Sequence, residues 1–206
     1  MTDPNDKPEF WESIFADKRE MWGMEPAVSA LRVRDMFVQQ NFKNILMPGI
    51  GYGRNAKPFL EAGMQVTGIE ISATAIDLAL KHFGDAIPIH HGSVTDMPFD
   101  DRKYDGIFCH ALIHLLGSVE RAKFIRDCYS QLQDGGWMVF STITKAAHTY
   151  GTGKPLGKDR FEIFEGVKMY FYDRESIAEE FAHAGLIAIE EIEDVFPFYL
   201  IKCSKK

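Results

Sequence analysis

With 206 residues, 46% of them hydrophobic and 26% charged, the chain excludes a disordered or low-complexity protein and can fill the core of one globular domain. Its 23 Lys and Arg against 30 Asp and Glu give a formal net charge of −7, which disfavours nucleic acid as the main partner. No apolar run reaches the roughly 20 residues that span a bilayer and the first residues lack the pattern of a secretion signal, so we expect a cytoplasmic protein without membrane attachment.

Two helices are predicted before the first strand. Asp6 and Pro8 open the first helix, which ends at Trp22 and Gly23, and Pro26 begins the second helix. The first helix places four apolar residues on one side, namely Phe10, Trp11, Ile14 and Phe15. Residues 1–40 are therefore expected to be mainly helical.

After Asn41, short apolar strands alternate with helices. Seven such strands are predicted, and they read NILM, MQVTGIE, AIPIHH, YDGIFCH, GWMVFSTI, LIAIEEI and FPFYLIKC. This order is typical of an α/β fold in which a doubly wound, mostly parallel sheet carries helices on both faces. Only Asp194 and Val195 separate the last two strands, which is too short for a parallel crossover, so these strands are expected to form an antiparallel hairpin.

Capping residues mark the ends of two helices between the strands. Ser72 is expected to cap a helix that stops at Gly84, and Asp173 is expected to cap the last helix. The apolar residues expected on the buried side of the Ser72 helix are Ile76, Ala79, Leu80 and Phe83.

The segment from residue 144 to 168 has no clear hydrophobic period and is rich in glycine. A long insertion without regular structure is uncommon inside a compact domain and is often a lid or a binding loop. We expect an insertion that contacts the substrate, with a disordered surface loop as the alternative.

The sharpest local signal is the glycine-rich stretch ILMPGIGYGRN, in which Gly49, Gly51 and Gly53 follow a strand and precede a helix. Glycines at such a turn adopt positive φ and let a ligand approach the backbone. The dinucleotide fingerprint would need glycine at position 54, which is Arg54, and the phosphate-loop pattern is absent. The turn therefore predicts a site for a small ligand that lacks a pyrophosphate.

Glu70 ends the next strand, nineteen positions after Gly51. A carboxylate at this spacing commonly accepts hydrogen bonds from ribose hydroxyls. The alternative is a solvated residue at a strand end. In strand-loop-helix-strand order, the glycine turn and Glu70 together predict a nucleoside ligand.

With these motifs the sequence resembles the class I S-adenosylmethionine-dependent methyltransferases from about Lys43 onward. PGIGYGRN is similar to the first motif of that family, VTGIEIS to its second strand, GSVTDMPF to its adenine loop and KYDGIFCHALIHLL to its fourth-strand motif. The resemblance implies one methyltransferase domain over residues 1–206 with sheet order 3-2-1-4-5-7-6 and strand 7 antiparallel. The tellurite-resistance and thiopurine-type enzymes, which act on small molecules, are the members that the chain resembles most.

The resemblance also implies roles for individual residues around S-adenosylmethionine. The glycines, with Arg54 and Asn55 after them, are expected at the methionine part, and Glu70 and Ile71 at the ribose and the adenine edge. The remaining expected cofactor contacts are Ser93 and Val94 at the adenine, Cys109 and His110 at the sulfur and methyl, and Trp22 in an N-terminal helical lid over residues 1–40.

Two positions depart from the common family pattern. Pro48 stands where many members carry an acidic residue that orients the methionine amino group. Ser93 replaces a frequent aspartate, and a serine hydroxyl accepts a hydrogen bond more weakly.

His110 and His114 are the candidate catalytic residues, since a histidine near neutral pH can act as a base. They share a face if the chain is helical there, although the alternative for His114, a packed or capping role, is favoured because histidine is often partly buried. No third ligand with suitable spacing accompanies them, so no metal is expected. Cys109, Cys128 and Cys203 lack metal or redox spacing and are expected to be reduced thiols.

These observations predict an enzyme that methylates a small-molecule acceptor, as a monomer or a homodimer. A non-catalytic cofactor-binding or regulatory protein is one alternative, suggested by Pro48 and the lack of an obvious acid-base set. A nucleotide- or nicotinamide-dependent enzyme on a related sheet is the other. The sequence leaves the nucleophilic atom of the acceptor open.

Overall fold

The computed structural model describes residues 8–164 and 166–206, so Asp6, the expected start of the first helix, lies outside them. The helices of this part are α1 (Pro8–Lys18), α2 (Val28–Gln39), α3 (Lys57–Glu61), α4 (Ala73–Phe83), α5 (Ser118–Gln131) and α6 (Arg174–Glu180). The first strands are β1 (Asn44–Pro48), β2 (Gln65–Glu70), β3 (Ile89–His91), β4 (Tyr104–His110) and β5 (Leu132–Ile143). They are followed by β6 (Lys154–Gly157), β7 (Arg160–Ile163), β8 (Val167–Tyr170), β9 (Leu186–Glu193) and β10 (Pro197–Ser204).

Seven strands form the main sheet in the order β3-β2-β1-β4-β5-β10-β9. Strands β1 to β5 pair in parallel, whereas β10 is antiparallel to both of its neighbours. The expected order is confirmed, with β10 as the reversed seventh strand. The short connection from β9 to β10 forces this reversal, because a parallel return would need a crossover of a dozen or more residues.

The central strands are buried on both faces. Every residue of β1 and β2 after the first is buried, as expected for parallel strands that carry helices on each side. One apolar cluster packs α2 and α3 against the sheet, and a second packs α5 and α6 against it. No helix of the described residues is long and apolar enough to cross a membrane.

Helix α4 confirms the predicted cap and only part of the predicted buried side, since Ala79 is buried as expected. The Ser72 hydroxyl accepts a hydrogen bond from the Ala75 amide at 3.1 Å, and Gly84 ends the helix. The helix buries Ala75, Leu78 and Ala79, whereas Leu80 is 44% exposed. The difference arises because α1 packs on α4, so that Ala75 and Leu78 join a cluster with Phe15 and Tyr52.

Residues 154–170 are not irregular, contrary to the expectation for the segment 144–168. Strands β6, β7 and β8 form a separate three-stranded antiparallel sheet. All four residues of β6 are exposed, so this strand has no alternation that a sequence pattern could show. We call these three strands the small sheet.

A cluster of ion pairs joins the small sheet to the rest of the protein. Lys145, just after β5, contacts Asp159 at 2.7 Å and Asp173 at 2.5 Å. The Tyr150 hydroxyl donates to Asp159 at 2.6 Å. Since Asp159 lies between β6 and β7 and Asp173 caps α6, the ammonium of Lys145 joins three separate parts of the chain.

Replacing this ammonium should loosen the small sheet. In Lys145→Met we expect amide hydrogen exchange in β6 to β8 to accelerate about tenfold, with little change in the main sheet, because partly exposed ion pairs contribute on the order of 1 kcal/mol. The matched control is Lys123→Met, which removes an ion pair to Asp127 on α5. Unchanged exchange in Lys145→Met would show that ring packing alone holds the small sheet.

Candidate active site

A cavity of about 790 Å³ lies at the carboxyl ends of strands β1 to β5. Open α/β sheets bind their ligands at this edge, and the volume is near the upper end of the roughly 300–1,000 Å³ of ligand pockets. Three parts of the chain form the walls: the loops after these strands, α1 with the residues up to Trp22, and the segment from Thr149 to β8 together with the turn before β10.

The glycine turn after β1 forms one wall of the cavity. Gly49 and Gly51 line it with φ of +68° and +59°, a region that residues with a Cβ rarely adopt. Gly53 also has positive φ but does not line the cavity. A Cβ at Gly53 would meet the Phe83 ring at 2.8 Å, so this glycine permits packing on α4 rather than ligand contact, which corrects its expected role.

Glu70 is buried at the end of β2 and lines the cavity. Its Oε2 accepts from the Gly51 amide at 2.8 Å, and its Oε1 accepts from the Ile71 and Ser72 amides at 2.9 and 3.0 Å. Burial raises the pKa of this carboxyl, while the three amides oppose that shift. The carboxylate therefore joins the glycine turn to the start of α4 in the wall of the cavity.

Arg54, Asn55 and Trp22 connect the glycine turn with the N-terminal helices. The Arg54 guanidinium donates to the Glu25 carbonyl at 2.9 Å, and the Asn55 side chain accepts from the Ala27 amide at 2.9 Å. Trp22 is 48% exposed at the cavity, where its ring is stacked on Tyr52. Arg54 and Asn55 thus hold the entry to α2, although both also line the cavity.

Helix α1 closes the cavity on the side of β2 and β3. Phe10, Trp11, Ile14 and Phe15 all line it, as the predicted apolar side of the helix requires. Glu12 fastens the helix, because its carboxylate accepts from the Ser72 hydroxyl at 2.7 Å and the Thr74 amide at 3.1 Å.

The three residues expected near the adenine lie together at the ends of β2 and β3. Ile71, Ser93 and Val94 all line the cavity. The Ser93 hydroxyl already has two partners, since it accepts from the Thr95 amide at 3.2 Å and shares a hydrogen bond with the Thr95 hydroxyl at 2.7 Å. The Ser93 side chain therefore caps a turn.

Cys109 does not face the cavity as expected. Its side chain is fully buried in the cluster with α5 and α6, and burial raises the pKa of the thiol. The reason is strand alternation: Cys109 and His110 are neighbours on β4, so their side chains point to opposite faces of the sheet.

His110 lines the cavity at the end of β4. Its Nδ1 lies 2.9 Å from the Ser29 hydroxyl and 2.8 Å from the Ser141 hydroxyl, and the Ser29 hydroxyl is 3.5 Å from Asp194. Within the described part of the chain, its Nε2 hydrogen-bonds no residue. Burial, aided by the Arg54 guanidinium, lowers the pKa of His110 to about 4, so the ring is neutral at pH 7.

His114 lies deeper, in the wall of the same cavity, and is 3% exposed. Its Nδ1 accepts from the Ile143 amide at 3.4 Å and lies 3.3 Å from the Thr142 hydroxyl. Burial and the neighbouring His110 lower the pKa of His114 to about 3. Residues 8–164 and 166–206 hold no group of three or more His, Cys, Asp and Glu side chains arranged to bind a metal ion.

Several residues of the site carry no signal in the sequence. Ser29 on α2, Ser141 on β5 and Asp194 in the last turn meet around His110 only through the fold. Tyr52 is an exception, because it lies between two glycines of the recognised turn, where its neighbours already indicated a ligand.

Comparison with known proteins agrees with this geometry. Residues 46–140, from β1 into β5, match a family model described as a methyltransferase domain. This region contains the glycine turn, Glu70 and both histidines. Over this region the chain is similar to methyltransferase domains. The narrower likeness to tellurite-resistance and thiopurine-type enzymes stays a prediction.

The individual relatives that the chain matches are distant. A ubiquinone biosynthesis O-methyltransferase of Nitrosospira multiformis is 29% identical over 113 residues, which cover 52% of this chain and 46% of the relative. The matched parts span 46–62% of the length of such curated relatives.

Two solved structures show the same fold along most of the chain. One is the 1,6-didemethyltoxoflavin-N1-methyltransferase of Burkholderia thailandensis, with a TM-score of 0.74, 16% identity and coverage of 97% of this chain and 87% of that one. The other is the CcbJ methyltransferase of Streptomyces caelestis, with a TM-score of 0.71, 16% identity and coverage of 100% and 99%.

The two buried histidines should make the protein sensitive to acid. Their pKa values in the folded protein, about 4 and about 3, lie below the 6.5 of a free histidine, so the unfolded chain binds protons first. The free energy of unfolding is expected to fall as the pH drops from 6.5 toward 4, by on the order of 1–2 kcal/mol per histidine.

Denaturant titrations at pH 7.5, 6 and 5 measure this loss, and nuclear magnetic resonance of the ring Cε1 protons assigns it. The variants His110→Asn and His114→Gln identify the two signals and should each reduce the slope of stability against pH. A ring that becomes protonated near pH 6.5 in the folded protein would contradict its burial.

Proposed function

We propose that this protein is a methyltransferase that binds S-adenosylmethionine against the glycine turn and transfers its methyl group to a small-molecule acceptor in the same cavity. The observation that carries the proposal is the buried Glu70 carboxylate, which lines the cavity directly below that turn. The names of the relatives support a small acceptor. One is a ubiquinone biosynthesis O-methyltransferase, and one structure holds 1,6-didemethyltoxoflavin and S-adenosylhomocysteine.

The residues present fit this cofactor. A carboxylate offers about four acceptor positions, and the amides of Gly51, Ile71 and Ser72 use three of those on Glu70. A ribose hydroxyl can use the fourth, on Oε2. Gly49 and Gly51 allow the methionine part to approach the backbone, and the Val94 amide can serve the adenine in place of the occupied Ser93 hydroxyl.

The protein supplies alignment, exclusion of water and a proton acceptor. When bound, S-adenosylmethionine carries the methyl on a sulfonium sulfur, from which a nucleophile takes it in line and leaves S-adenosylhomocysteine. Helix α1, fastened by Glu12, forms one wall of the cavity and shields that side from bulk water. Arg54 and Asn55 act indirectly in this proposal, by holding the N-terminal helices on the glycine turn.

His110 is the base in this proposal. With its Nδ1 proton directed to Ser29, and the Ser29 hydroxyl directed to Asp194, the lone pair of Nε2 is free toward the cavity. Nε2 accepts the proton that the nucleophilic atom of the acceptor loses as it forms its bond to the methyl carbon. In this proposal His114 has a structural role: it is buried and accepts a hydrogen bond from the Ile143 amide, and so holds the cavity wall next to His110.

The role of Glu70 can be tested through the ligand as well as the protein. Glu70→Gln should weaken binding of S-adenosylhomocysteine about tenfold or more in calorimetry, because it removes a charged acceptor at the ribose. The matched control, Glu61→Gln on the exposed side of α3, should bind normally.

Glu70 also supports the backbone, so the unfolding temperature of each variant is measured in parallel. In the wild-type protein, the 2′-deoxy and 3′-deoxy forms of S-adenosylhomocysteine report on the ribose contact without any substitution. At least one of them should bind about tenfold more weakly. Equal binding of all three compounds would show that the carboxylate does not hold the ribose.

The role of His110 predicts a loss in kcat rather than in cofactor affinity. For the first acceptor found in a screen of small hydroxyl and amine compounds, His110→Gln should lower kcat about 10²-fold or more, since a general base contributes 10²–10⁴. His183→Gln, at an exposed position on the far surface, is the control.

The pH profile of kcat/KM provides a second readout. Because the pKa of His110 is about 4 in the free protein, the rate should stay level from pH 8 to pH 6 and fall only toward pH 4. A kcat of His110→Gln close to that of wild type would eliminate the base and leave alignment as the main contribution of the protein.

A further inference from the structure

Among the described residues, two buried side-chain polar atoms lack a hydrogen-bond partner, Gln131 Oε1 and Thr149 Oγ1. Thr149 lines the cavity, whereas Gln131 does not. A buried hydroxyl without a partner costs roughly 1–3 kcal/mol, so such groups are rare unless something else satisfies them. Because Thr149 is a wall residue, rotation of its side chain toward the cavity would let a polar ligand atom satisfy this hydroxyl.

Thr149 is held firmly in that place. It follows β5 in a turn, where its carbonyl accepts from the Thr152 amide at 3.2 Å and from the Thr152 hydroxyl at 2.7 Å. The neighbouring Tyr150 is fixed by its bond to Asp159, within the cluster that anchors the small sheet. The side chain of Thr149 is 5% exposed, so its hydroxyl has little access to water.

The sheet order places Thr149 away from the proposed cofactor site. Glu70 and the glycine turn follow β2 and β1, whereas Thr149 follows β5, which lies beyond β4. The turn before β10 borders the same region of the cavity, since β10 pairs with β5. We call this region the acceptor subsite; its lining includes Ile143, Thr149, Val167, Met169, Phe196 and Phe198.

Aromatic and aliphatic groups dominate this subsite. The Phe198 ring lies 5.9 Å from the His110 ring and 6.2 Å from the His114 ring, and the Phe196 ring lies 6.4 Å from Phe198. Ile143, Val167 and Met169 supply further apolar surface. Ring surfaces of this kind favour a flat aromatic molecule.

The charges around the subsite disfavour an anionic ligand. Both histidines are neutral at pH 7, and the ionised side chain near the turn before β10 is the carboxylate of Asp194. The Arg54 guanidinium, which lowers the pKa of His110, donates its hydrogen bonds to the carbonyls of Trp22 and Glu25. An acceptor carboxylate would therefore lose its hydration without gaining an oppositely charged partner.

We propose that the acceptor subsite binds an uncharged aromatic molecule with two polar substituents, one at His110 and the other hydrogen-bonded to Thr149 Oγ1. This inference rests on the proposed function, because the first substituent is the one that becomes methylated. Thr149 then selects the acceptor by a hydrogen bond remote from the reacting atom.

Thr149→Val tests the inference, because it keeps the branched shape of the side chain and removes the hydroxyl. The protein is saturated with S-adenosylhomocysteine, and binding of 2,7-dihydroxynaphthalene, 2,7-dimethylnaphthalene and 7-hydroxy-2-naphthoate is measured by calorimetry. The dihydroxy compound should bind wild type best, and the naphthoate at least tenfold more weakly. The variant should lose about three- to tenfold in affinity for the dihydroxy compound and none for the dimethyl compound.

The variant should also unfold at no lower temperature than wild type, since the lost hydroxyl has no partner in the protein. Thr67→Val is the matched control, at a buried threonine of β2 that does not line the cavity, and it should bind every probe as wild type does.

Failure of wild type to bind S-adenosylhomocysteine would overturn the proposed function itself. Normal binding of S-adenosylhomocysteine would instead isolate the inference. In that case it is overturned if the dihydroxy compound does not bind, if the naphthoate binds equally well, or if Thr149→Val binds the dihydroxy compound as wild type does.

Discussion

The buried carboxylate of Glu70 holds together the two backbone segments from which the proposed cofactor site is built. It accepts three amide protons, one from Gly51 in the glycine turn and two from the start of α4. A buried carboxyl group needs such donors in place of the water that it loses, so the shape of the turn and the position of Glu70 depend on each other. Loss of either would change the floor of the cavity.

The same segment at the start of α4 also contacts α1. Ser72 donates its amide to Glu70, caps α4 with its hydroxyl oxygen and donates its hydroxyl proton to Glu12 of α1. One residue thus links the position of Glu70 to that of the helix that covers the cavity. Because these contacts share one residue, Glu70 and α1 act on the same short segment of the chain.

The cavity divides into two chemically different regions. Near β1 and β2 it presents backbone amides and a carboxylate, which suit a polar nucleoside. Beyond β4 it presents aromatic rings, neutral histidines and the Thr149 hydroxyl. His110 stands between them at the end of β4, where a methyl donor and an acceptor would meet. The small sheet, held by Lys145, contributes Val167 and Met169 to the second region.

Local patterns in the sequence determined the main sheet, the glycine turn, Glu70 and the caps at Ser72 and Asp173, because each depends on residues close together in the chain. They failed for part of the buried side of α4, where Ala75 and Leu78 pack against α1, and for the exposed strand β6, which shows no alternation of apolar and polar residues. The strand register in the structure was needed to show that His110 lines the cavity and that Cys109 is buried on the opposite face of β4. Only the tertiary structure brings Ser29, Ser141 and Asp194 together around His110, because these residues lie far apart along the chain. It also decides that the Thr149 hydroxyl is buried without a partner, which no local pattern indicates.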